Sequence, residues 1–61
     1  MFEVGQKVIC RVYGEGVVTE ADFRTVYPIK VSFLSGYVEC YTSYGKMYEY
    51  DYEPSLSVIE E

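Results

Sequence analysis

Apolar and polar residues alternate with a period of two over most of the chain up to Thr42. From Lys7 to Tyr13, Val8, Cys10 and Val12 fall on one side and Lys7 and Arg11 on the other, the spacing of a half-buried β-strand. A second β-branched run, from about Gly16 to Asp22, predicts another strand and leaves open whether Val17 or Val18 points inward. Residues 22–28 read as a loop punctuated by Pro28. Next, Ile29, Val31 and Phe33 alternate with Lys30 and Ser32 and are expected to point inward. Ser35-Gly36 is a tight-hairpin signal. A fourth strand over 37–42 would set Val38 and Cys40 on one face and Tyr37, Glu39 and Tyr41 on the other. Residues 43–46 turn the chain, and residues 47–52 form a fifth, shorter strand candidate that Pro54 stops. The segment 55–59 adds at most a last short edge pairing.

No segment keeps a helical 3.6 period for three turns. Five short strands at regular spacing predict an all-β domain, either a small barrel or a sandwich. Closing the sheet would also protect its edges. The barrel is expected over residues 1–53, with 54–61 as an acidic C-terminal tail or short edge strand.

Gly14-Glu15-Gly16 is the one stretch that invites a phosphate-loop reading. A dinucleotide fingerprint needs a third glycine opening a helix, but position 19 is Thr and the following residues are β-branched and acidic. The Gly-Lys-Ser/Thr of a nucleotide-phosphate loop is also absent. The expectation is therefore structural: one glycine supplies positive φ in a turn, and the other starts a bent strand.

The wider frame joins Phe2-x-Val4-Gly5-x-x-Val8, Tyr13-Gly14-Glu15-Gly16-Val17-Val18 and Tyr27-Pro28-Ile29-Lys30-Val31-Ser32-Phe33. It resembles SH3-like or Tudor-like small barrels. Among these it is similar to the C-terminal Tudor-like domains of bacterial repair helicases and to RNA-polymerase-interacting domains of the CarD type. With Tyr41-Thr42-Ser43-Tyr44-Gly45-Lys46 included, it more closely resembles small proteins carried by bacteriophages and prophages. The resemblance spans about residues 2 to 50 and implies a five-stranded SH3-like/Tudor-like barrel. Position 6 is Gln where the pattern usually has Asp, and the helicase and polymerase-binding relatives are domains of longer chains, whereas this sequence starts at Met1.

Charge changes the picture of the partner. The net charge is -5, and the half up to Lys30 is balanced, so the excess lies in Glu39, Glu49, Asp51, Glu53, Glu60 and Glu61 against Lys46. That half repels polyanions, so direct nucleic-acid binding is not expected and a basic protein partner is favoured. The start of the chain has neither a charged n-region nor a long apolar run, so no signal peptide or membrane span is expected and the location is the (bacterial host) cytoplasm. Cys10 and Cys40 both lie in apolar runs and are expected to be reduced and buried. Two thiols without histidine do not make a structural zinc site.

Catalysis has little to stand on. There is no histidine to act near neutral pH and no partner to activate either thiol, so neither catalytic residues, cofactor nor metal are expected. The anomaly is tyrosine: eight of 61 residues, more than so small a core can hold together with Phe2, Phe23 and Phe33. On a strand over 47–52, Tyr48, Tyr50 and Tyr52 would share one face, opposite Glu49, Asp51 and Glu53. Exposed tyrosine adds large contact area at low entropy cost. The expected partner-binding set is therefore Tyr37, Tyr41, Tyr44, Tyr48 and Tyr50 with Glu49, Asp51 and Glu53.

These readings converge on a small acidic protein-interaction module rather than an enzyme. The phage resemblance implies an inhibitor of a host or bacterial-defence protein, in which the carboxylates occupy a cleft that normally receives nucleic-acid phosphates. The alternatives are a nucleic-acid-binding barrel and an accessory module that binds RNA polymerase or a helicase. Homo-oligomerisation is expected as well, because a small core gains margin by association.

Overall fold

A computed structural model describes residues 2–60. Five strands form one antiparallel sheet: β1 (Lys7–Cys10), β2 (Gly14–Ala21), β3 (Ile29–Phe33), β4 (Val38–Tyr41) and β5 (Leu56–Val58). Their order is β4-β3-β2-β1-β5, so a four-strand meander is completed by a last strand that returns to the outer side of β1. The sheet curls into a half-barrel with β4 and β5 at its edges, and the described residues contain no helix.

The curl has local causes. The turn between β1 and β2 is Arg11–Tyr13, three residues earlier than the Gly14–Gly16 stretch expected to form it, so β1 ends at Cys10 and Val12 is exposed in the turn rather than inward beside Val8 and Cys10; Gly14 closes the turn at φ +83°. As the sequence implies, Gly14 is the glycine with positive φ and Gly16 is the one that belongs to the bent strand. A Cβ there would sit 2.7 Å from the Ser32 carbonyl oxygen and 2.8 Å from Phe33 Cδ1, so its hydrogen lets β3 cross close over β2. Further along, the β2–β3 register slips between Val18 and Glu20. The extra residue, Thr19, makes a β-bulge whose Oγ1 donates to the Lys30 carbonyl at 3.3 Å. A bulge bends its strand and breaks the alternation beyond Val18. Before it the alternation is regular, with Gly16 and Val18 inward and Val17 outward, and the missing side chain at Gly16 leaves the pattern ambiguous in sequence.

The concave face holds the core: Phe2, Val8, Cys10, Val18, Ile29, Val31, Phe33, Tyr41 and Leu56. Ile29, Val31 and Phe33 point inward as their alternation implies. Three expectations are corrected. On β4 the faces are reversed, with Tyr41 fully buried and Val38 and Cys40 outward. Cys40 is consequently exposed, and both cysteines are free. A large aromatic ring fills the concave side better than a thiol, and it stacks edge-on to Phe33 at 6.4 Å. Third, residues 47–52 are turns and bends, and the fifth strand is Leu56–Val58. Leu56 is the apolar anchor of that strand, whereas the tyrosine–acid run offers the core no inward position.

Candidate protein-binding surface

The surface rings are organised by two features, a ladder that leaves the core and a pinned connection between β4 and β5. The ladder starts at buried Tyr41, whose hydroxyl donates to Cys10 Sγ at 3.0 Å. It passes through Phe33 to Tyr13, 5.4 Å away, and ends at Tyr37, stacked on Tyr13 at 4.4 Å. Hydrogen bonding to Tyr37, then burial, pushes the Tyr13 phenol up to about 12, with the Glu39 charge among the smaller contributors. Burial, and next the bond to Cys10, raises the Tyr41 phenol well beyond its ordinary range.

The connection, residues 42–55, has no regular structure but is fixed at defined points. Buried Thr42 accepts at Oγ1 from the amides of Tyr44 (3.3 Å) and Lys46 (3.1 Å), and its own amide donates to the Lys46 carbonyl. The Gly45 carbonyl accepts from both Ser55 and Leu56, tying the near end of the connection to the start of β5. Between these points, Tyr48 N–H donates to Asp51 Oδ2 at 3.2 Å while Asp51 N–H donates to the Tyr48 carbonyl at 3.1 Å. This reciprocal pair of hydrogen bonds closes a turn that stacks Tyr48 on Tyr50, 5.4 Å apart and 9° from parallel.

Four of the five expected tyrosines lie at the surface: Tyr37 and Tyr48 are half-exposed, Tyr44 is 75% exposed and Tyr50 80%. Tyr41 is part of the core and cannot be touched by a partner. Tyr52, not included in that set, is fully exposed. The carboxylates do not form one face, because the strand that would align them is absent. Asp51 closes the tyrosine turn, and Glu53 pairs with Arg11 at 3.5 Å. Glu49 borders a hollow beside Tyr44, Lys46 and Val26. Glu60 is exposed, and Glu61 lies outside the described residues. Among the described residues no group of three or more His, Cys, Asp or Glu side chains is arranged to hold a metal ion. None of the described residues forms a helix long and apolar enough to cross a membrane.

Sequence reasoning missed Tyr13, Val26 and Glu39. Tyr13 ends the strand read over 7–13, where nothing singles out its ring, and Val26 lies in a loop with no period to expose it. Glu39 was placed as one of a row of outward groups, and its local bond to the next amide carries no sequence signal. Compared with known proteins, the chain matches no family model, no curated protein and no solved structure.

Proposed function

We propose that this protein is a small acidic protein-interaction module of SH3-like, Tudor-like form, which docks on a larger, basic protein through its exposed tyrosines. The observation that carries the reading is the Tyr48–Tyr50 stack on its closed turn, with Tyr44 exposed on the same connection. Rings held in place before binding lose little freedom on docking, and desolvated tyrosines are frequent binding hot spots. The resemblance to phage-carried proteins supports a host or defence protein as the target and inhibition as the outcome. Glu49 and the exposed acids near it would then stand where phosphates normally bind.

The test is capture from a bacterial lysate with the tagged full chain and with Tyr48→Ala/Tyr50→Ala. A specific protein retained by the parent and lost by the double variant supports the reading, and retention that is equal on both refutes it. Capture should weaken from low to moderate salt, since exposed charges are screened over about 8–10 Å. Salt-independent capture would count against phosphate mimicry, and a mobility shift of DNA or RNA by the purified chain would favour the nucleic-acid-binding alternative.

A further inference from the structure

The outer edge of β4 is a prepared place for one more strand. Phe33 N–H donates to the Tyr37 carbonyl at 2.8 Å, and the register sets Val31 against Glu39 and Ile29 against Tyr41. Bonded and non-bonded pairs alternate along an antiparallel ladder. Tyr37, Glu39 and Tyr41 therefore bond inward to β3, and the backbone groups of Val38 and Cys40 point away from the sheet. The outward Cys40 N–H is met by Oε1 of its own neighbour, Glu39, at 3.0 Å. A carboxylate oxygen stands where the carbonyl of an added strand would stand.

This edge borders a groove of about 480 Å³. It is lined by Thr25, Val26 and Tyr27 from the β2–β3 loop, Met47 and Tyr48 from the β4–β5 connection, and Glu39 and Cys40 from β4. Among the described residues, Glu39 is the only charged one lining it. An incoming carbonyl that takes the Cys40 N–H releases the Glu39 carboxylate, which then needs a cation. A second copy paired in the symmetric register centred on Glu39 would set the two carboxylates against each other, and each chain carries a net charge of -5. We infer that the β4 edge takes an extended segment of a partner protein as a sixth strand, with a Lys or Arg of that segment pairing with Glu39. The inference rests on the interaction-module reading above and gives the partner's chemistry.

The probes are two blocked peptides, Thr-Val-Thr-Lys-Thr-Val-Thr and its counterpart with Glu in place of Lys, titrated into the isotope-labelled full chain by NMR. The expected result is movement of the Val38, Glu39 and Cys40 amides and of Val26, with the Lys peptide preferred roughly three- to tenfold. Glu39→Lys should reverse that preference. Cys40→Pro should abolish binding while keeping the fold, because that N–H makes no bond to β3 and proline is tolerated at strand edges. If Cys40→Pro does not fold, the reversal by Glu39→Lys decides. Unmoved β4 amides, an unchanged preference in Glu39→Lys, or shifts at 38–40 that depend on protein concentration alone would each overturn the inference. None of these would touch the lysate result with Tyr48→Ala/Tyr50→Ala, so the two readings fail separately.

Discussion

Gly16→Ala is the sharpest test of how the sheet is built. The added methyl would lie 2.7 Å from the Ser32 carbonyl oxygen, 2.8 Å from Phe33 Cδ1 and 2.9 Å from Val31 Cγ1. Carbon atoms normally pack at about 3.5–4.0 Å, so relief requires a displacement on the order of 0.5–1 Å. Phe33 and Val31 are core side chains with little room to turn, and the oxygen belongs to the backbone of β3. The strands must therefore part in the middle of the sheet, where Gly16 faces Phe33 and Val17 faces Ser32. Overpacking of this kind costs about 1–3 kcal/mol. The stiffer unfolded chain of an alanine variant offsets roughly 0.4–1 kcal/mol of that.

A net loss of about 1–2 kcal/mol is large for a 61-residue chain, whose total stability should be on the order of 3–9 kcal/mol. At roughly 4–8 °C per kcal/mol, thermal unfolding followed by circular dichroism should show a midpoint lowered by about 5–15 °C. Gly14→Ala is the comparison. Nothing lies within 4 Å of its Cβ position, so its cost comes from φ +83° alone and leaves the β2–β3 packing untouched. Amide exchange should then quicken across β2 and β3 in Gly16→Ala and only around the turn in Gly14→Ala. A Gly16→Ala protein as stable as the parent would refute the close-approach argument.

Leu56→Ala should cost about 2–4 kcal/mol, since the side chain is buried and anchors β5, and a denaturant midpoint measures it. Under native conditions a thiol reagent should modify Cys40 promptly and Cys10 only on unfolding, as mass spectrometry can show; prompt modification of both would contradict the β4 orientation. Alkaline titration by ultraviolet absorbance should place Tyr13 at about 12. Tyr41 is raised in the fold above its ordinary 10.0, so its stabilising effect is full below pH 10 and is lost as pH rises beyond that; Tyr41→Phe should blunt the alkaline loss of stability. Arg24 grips Asp22 through two side-chain bonds (2.8 and 2.9 Å) and one from its amide, holding that carboxyl below its usual 3.8. The pairing therefore acts above that value and fades in acid, and Arg24→Met should raise the Asp22 midpoint seen by NMR.

Period-two alternation made β3 legible residue by residue and placed Val8 and Cys10 inward on β1, but it carried that strand on to Val12, which is exposed in the turn after Cys10. It failed where backbone irregularity resets the phase. On β2, Val17 and Val18 lie between Gly16, which has no side chain to mark the inward face, and the bulge at Thr19, which ends the alternation. On β4, Val38-Glu39-Cys40-Tyr41 offers an apolar residue on either face, and only tertiary packing against Phe33 selects Tyr41. The run 47–52 shows the limit most clearly: alternating tyrosine and acid mimics a strand, yet local bonds between Tyr48 and Asp51 offer the backbone a turn instead. The tyrosine excess itself was readable as surplus beyond the core, whereas the positions of the acids were not, since each is set by a different neighbour.

The pinned connection links stability to binding in a way that the count of tyrosines alone does not. Thr42 and Gly45 fasten one end of residues 42–55, and Arg11 fastens the other: its amide donates to the Ser55 carbonyl, its guanidinium to the Pro54 carbonyl at 3.2 Å, and it pairs with Glu53. Arg11 belongs to the β1–β2 turn that Gly14 closes, so the fold of the hairpin positions the far end of the tyrosine segment. Arg11→Ala should leave the core residues in place and loosen residues 47–54, measured as faster amide exchange at Asp51 and loss of order in the Tyr48–Tyr50 pair. If the proposed docking uses those rings as a preformed pair, the variant should bind the captured protein more weakly although Arg11 itself makes no contact with it, because the ordering is then required at the moment of binding. Equal binding by Arg11→Ala, with the segment demonstrably loosened, would mean that the rings adapt to the partner and that their stacking in the free protein has no bearing on affinity.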